Sequence, residues 1–169
     1  MKCLPKFALF LLVGVASACG DGKGPVDVNG TYKLQTVVAA NACMTEGLEV
    51  GKTGEIEVTF SQDLMANPDK VTVTVTNPFV AGILAVVGLP NTFLGTVTGN
   101  SVKAIGAGNA KTEGNCQFAP QIRVAADLDR DTLSGEITWS YRATGSDCGV
   151  KTTCNTVQTF NGTRPPTVK

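Results

Sequence analysis

Lys70-Val71-Thr72-Val73-Thr74-Val75-Thr76 alternates valine with threonine through its length. Successive side chains of a β-strand point to opposite faces, so this stretch sets three valines on one face and three threonines on the other. A helix would scatter the same residues around its circumference. All six are β-branched and favour the extended backbone, so a strand with one buried face is predicted. The pattern repeats on both sides. Upstream, residues 54–61 set Ile56, Val58 and Phe60 against Glu55, Glu57 and Thr59, and residues 31–38 place Tyr32, Leu34 and Val38 on one face. Downstream, residues 92–98 and 101–106 flank Gly99-Asn100, a two-residue hairpin signal. Residues 119–128 carry Ile122, Val124 and Ala126 on one face, and the turn Asp129-Arg130-Asp131-Thr132 leads into 133–143, where Ile137, Trp139 and Tyr141 share a face. Residues 154–162 form the last strand.

Eight such strands, joined mostly by short turns, predict an all-β domain over residues 29–164 with a C-terminal tail at 165–169. A single antiparallel up-and-down barrel covers the common apolar face and removes the open edges together. An immunoglobulin-like β-sandwich is the alternative. The inward faces carry no ionisable acid or amine, so the interior is either a tight core or a dry cavity for one small ligand.

One segment breaks the alternation. Residues 78–90, Pro-Phe-Val-Ala-Gly-Ile-Leu-Ala-Val-Val-Gly-Leu-Pro, are apolar all round and too short to span a bilayer. A short helix between strands three and four is expected, covered because an all-apolar helix avoids water. It would plug the barrel mouth, act as a lid over a pocket, or dock on a partner or membrane. As a lid it makes Phe79, Ile83, Leu84 and Val87 the candidate ligand contacts, with Tyr32, Trp139 and Tyr141 from the strands.

In an up-and-down barrel the loops after strands one, three, five and seven share one end, and both termini lie at the other. Cys43, Cys116, Cys148 and Cys154 all fall at the mouth end, away from the termini. Two disulfides are expected. Either Cys148 joins Cys154 and Cys43 joins Cys116, or Cys43 joins Cys154 and Cys116 joins Cys148. Zinc is disfavoured, since the chain has no histidine and no close cysteine pair.

In layout the chain resembles the lipocalin-like, calycin-type barrels. Gly30-Thr31-Tyr32 opens strand one as a G-x-W motif opens a lipocalin, and Arg164 follows strand eight where those barrels carry an arginine packed over the opening aromatic. The resemblance implies a barrel able to hold a small apolar ligand.

The first residues indicate where the protein works. Lys2 and Lys6, an apolar run over 7–15 and the small residues Ala16-Ser17-Ala18 read as an export signal, residues 1–18. The next residue, Cys19, resembles the acceptor of a bacterial lipobox. That resemblance implies lipidation of Cys19, with palmitate-type acyl chains, and a bacterial envelope protein held to a membrane and facing the periplasm or exterior. Residues 19–28, rich in glycine, would be a flexible tether. Plain secretion is the alternative, because Ala-Ser-Ala also suits an ordinary signal peptidase site.

Charge and chemistry exclude several functions. With 14 basic and 14 acidic residues, the chain lacks the positive field that nucleic acid requires. Without histidine, a Ser-His-Asp or Cys-His arrangement is impossible, and no G-x-S-x-G or phosphate-cradling glycine motif occurs. The acidic run Asp127-Leu128-Asp129-Arg130-Asp131 begins like a calcium loop, but Thr132 replaces its glycine and Thr138 its bidentate glutamate. No enzyme activity, cofactor or metal site is expected. The expected function is binding of a small apolar ligand, or else an envelope interaction module with a filled interior.

Overall fold

The computed structural model describes residues 24–165. The signal read at 1–18, the acceptor Cys19 and the start of the tether lie outside them, as does all but the first residue of the tail. The strands are β1 (Gly30–Asn41), β2 (Thr53–Asp63), β3 (Asn67–Val75), β4 (Thr92–Thr98), β5 (Ser101–Ala107), β6 (Lys111–Glu113), β7 (Cys116–Asp129), β8 (Thr132–Thr144) and β9 (Asn155–Thr163), with helix α1 (Pro78–Val87) between β3 and β4.

Neighbouring strands pair antiparallel around the whole circuit. β1 pairs with β2, β2 with β3, β3 with β4 and β4 with β5; β5 passes over β6 to pair with β7; β8 and β9 follow, and β9 returns to β1. The result is a closed eight-stranded barrel, and the sandwich alternative does not occur. β6 is an extra strand. It pairs only with the first residues of β7, Glu113 opposite Cys116 and Lys111 opposite Phe118. β7 and β8 are the longest strands and overshoot the barrel, with Gln117 opposite Thr144 beyond the rim. β6, β7 and β8 thus form a small flap with its own core of Cys116, Phe118 and Cys148, against which Tyr141 and Ala143 pack.

The end opposite the mouth is solidly packed. Val28 and Tyr32 are wholly buried there, with Val71, Val97, Val102, Leu128 and Leu133 around them. Of the residues read from sequence as the end of a tether, Val28 is core and Val26 packs partly buried against it. Pairing between β2 and β3 is irregular around Gln62, which is buried. Its side-chain oxygen accepts from the Val28 N–H at 2.9 Å, and its own N–H donates to Asn29 Oδ1 at 2.6 Å. The segment entering the barrel is therefore laced across its floor.

Arg164 completes that floor. Its guanidinium lies 5.6 Å from the Tyr32 ring, Nε donates to Asp131 at 3.2 Å, and Nη1 donates to the Asn29 carbonyl. The aliphatic stem runs against Gly30, whose φ of 135° and lack of a side chain leave room for it. Burial pushes the Tyr32 hydroxyl up to about 12, opposed by the nearby Arg164 cation and reinforced by Asp131 and Asp27. That hydroxyl donates to the Val28 carbonyl at 3.2 Å.

Candidate ligand cavity

Above this floor the barrel is hollow. A cavity of about 670 Å³ occupies the mouth half, within the range of small-molecule sites. Period-two alternation builds it, since each strand directs every second side chain inward. Leu34, Val58, Phe60 and Phe160 form its lower part; Ile56, Val73, Val75, Phe93, Ile122, Val124 and Ile137 line its walls. Many are short, so eight strands enclose more space than their side chains fill.

Below the rim, where Glu46, Lys52 and Glu55 border the opening, polar groups in the described wall are few and uncharged. The Trp139 indole N–H donates to Gln158 Oε1 at 2.9 Å. Thr36 is buried between Leu34 and Val38, the inward neighbours on β1. Ser140 and Tyr141 stand higher, where the Tyr141 ring meets Phe118 of the flap edge-on at 5.8 Å. Lys151 sits over the other ring of that pair, 3.8 Å from the Phe118 centroid, and bonds Glu113 of β6. Sequence parity marks Thr36 and Gln158 as inward-facing, but both are polar and so escape a search for apolar faces.

Helix α1 lies across the opening. Asn77 caps it by accepting from the Phe79 and Val80 N–H groups, and Pro78 suits the first turn because its missing N–H needs no partner. At the other end Gly88, with φ of 83°, lets its own N–H reach Ala85 and the Leu89 N–H reach Leu84, closing the last carbonyls. Leu84 is 1% exposed and enters the core with Leu89, while Val80 packs partly.

The segment is not covered all round, contrary to the expectation from its composition. Phe79 is 76% and Val86 82% exposed. A barrel mouth offers one surface, so a helix lying across it buries one stripe and turns the opposite stripe outward. Phe79, Ile83, Leu84, Val87, Trp139 and Tyr141 all border the cavity. Tyr32 does not: near the start of β1 it lies beneath the cavity, in the floor.

The cysteines adopt the second of the two pairings. Cys43 bonds Cys154, tying the loop after β1 to the start of β9, and Cys116 bonds Cys148, tying the flap. Both bridges lie at the mouth end. Their presence fits an oxidising compartment outside the cytoplasm. Among the described residues no helix is long and apolar enough to cross a membrane, and no cluster of three or more His, Cys, Asp or Glu is placed to hold a metal ion. The acidic turn of β7 and β8 serves the fold: Asp127 accepts from the Ser101 hydroxyl and Asp131 holds Arg164.

No family model matches the chain, and no match is found among curated proteins or solved structures.

Proposed function

We propose that this protein is a non-enzymatic binding protein for a small apolar ligand, presented from a bacterial envelope membrane by a lipid on Cys19. The hollow mouth half of the barrel carries the reading: an apolar cavity of about 670 Å³ beneath a helix with one stripe in the core. Arg164 packed over Tyr32 supports the lipocalin-like resemblance. The two disulfides and the small-residue site before Cys19 support the export route. A chain without histidine cannot form a Ser-His-Asp or Cys-His centre, and the described wall below the rim brings no pair of carboxylates together, which supports binding over hydrolysis.

Trp139 is the sole tryptophan and borders the cavity, so its fluorescence reports occupancy directly. A blue shift or quenching on titration with a neutral hydrophobic probe is expected, together with lipids co-purifying in mass spectra of the extracted protein. Unchanged emission over a saturating range, with no co-purified lipid, would refute the binding reading. Cys19→Ser tests the anchor separately; it should release the protein from membranes, and normal retention would contradict lipidation.

The exposed outer stripe of α1 favours a second reading, an envelope interaction module. Replacing Phe79 and Val86 by serine would then abolish partner capture at unchanged thermal stability.

A further inference from the structure

We infer that the ligand is an uncharged apolar molecule carrying a hydrogen-bond acceptor oxygen, such as an ester, ketone or long-chain alcohol, and this rests on the binding reading above. Below the rim the described residues that line the cavity are all neutral. A carboxylate or ammonium placed there would lose its hydration without a counter-ion, a penalty far larger than one hydrogen bond returns.

The rim sector that borders the cavity with charged residues offers an anionic head no better place. Among the described residues the charged side chains bordering the cavity are Glu46, Lys52 and Glu55, and these belong to one sector, the loop after β1 and the start of β2. Lys52, the cation of this sector, pairs with Glu49 at 3.5 Å, and Lys151 on the flap is held by Glu113 and the Phe118 ring. Glu55 accepts from Gln35 Nε2 at 2.6 Å on the outer wall. An anion arriving there meets acids and an engaged lysine.

The acceptor oxygen follows from the Trp139–Gln158 pair. An indole N–H can only donate, so Gln158 must turn its oxygen toward it, which leaves its amide NH₂ as a donor in the wall, with the buried Gln121 amide and the Ser140 hydroxyl nearby. A ligand carbonyl, ester or hydroxyl oxygen satisfies it, and a pure hydrocarbon does not.

The test is calorimetric titration of the disulfide-bonded protein, delipidated first, with four probes of matched chain length: methyl dodecanoate, dodecanol, dodecanoate and dodecylammonium. The ester and the alcohol should bind at least tenfold tighter than either ion near neutral pH. In Gln158→Leu the ester should weaken about threefold to tenfold, the range of one neutral hydrogen bond. Dodecanoate or dodecylammonium binding as tightly as the ester would overturn the uncharged class while leaving the cavity's binding role standing. An unchanged ester affinity in Gln158→Leu would overturn the acceptor assignment. No heat and no competition from any of the four would overturn this inference and the binding reading together.

Discussion

Removing the Cys43–Cys154 bridge should cost more stability than removing Cys116–Cys148, and the difference follows from how the two loops nest. The bridges span 111 and 32 residues, and the shorter lies inside the longer. Cross-links act largely on the unfolded chain, by an entropy that grows with the logarithm of the loop. For the inner loop this gives about 3.7 kcal/mol. For the outer loop it would give about 4.8 kcal/mol alone, but the intact inner bridge bypasses its 32 residues and lowers the figure to about 4.5 kcal/mol. Paired alanine substitutions test this without placing a hydroxyl in either site. The assay is urea unfolding under non-oxidising, non-reducing conditions, followed through Trp139 fluorescence. The Cys43→Ala/Cys154→Ala variant should show the lower midpoint. It should also show the steeper denaturant dependence, because its unfolded chain expands more when released. A larger loss from the inner pair, or slopes unchanged in both variants, would refute the loop-entropy account.

Leu84→Ala removes the one fully buried side chain of α1 and should loosen the helix more than the barrel, by about 2–3 kcal/mol locally. Hydrogen exchange should accelerate across Pro78–Val87 with little change in β7 and β8; uniform acceleration would contradict a separately opening lid. Tyr32 keeps its proton in the folded state up to about pH 12, whereas the unfolded phenol loses it near 10. The folded chain therefore binds more protons in that window, and Tyr32's contribution to stability, complete below about pH 10, falls as pH rises toward 12. Comparing the pH dependence of unfolding with Tyr32→Phe should remove this part of the decline. Gly82→Ala should stabilise by about 0.5–1 kcal/mol, since a Cβ in mid-helix meets open space. Gly135→Ala should destabilise by at least about 1–3 kcal/mol, because its Cβ would fall 2.1 Å from the Ala125 carbonyl oxygen on β7. Thermal melts of the two variants, shifting in opposite directions, check both.

Much of the barrel was legible because period-two alternation writes burial directly into sequence. Val71, Val73 and Val75 face inward and are buried, as their spacing requires. β6 left no such trace: Lys111, Thr112 and Glu113 are all exposed, so no residue among them carries an inside-outside signal. Parity also gives a face without a depth, so spacing alone groups Tyr32 with Trp139 and Tyr141 although it lies in the floor. The cysteine pairing depended on which strands meet, and both pairings satisfied the placement of all four at one end. Val28 was hidden by glycine and proline nearby, which read as linker although the residue itself fills the barrel base. The helix was visible as a run of apolar residues, but its half-covered state depends on the width of the opening beneath it.

The laced floor has a mechanical consequence. A pull on the chain at residue 24 first meets the Val26 N–H bond to the Gly99 carbonyl, then Val28 held by Gln62, then the Asn29 carbonyl gripped by Arg164 from the far end of the chain. Those contacts join the entering segment to the β4–β5 turn, to β2 and to the residue following β9, so a load entering at this end is shared among three strand termini before it reaches any wall of the cavity. The cross-linked rim lies at the opposite pole. Force applied at residue 24 is thus borne by the packed base, away from the hollow half.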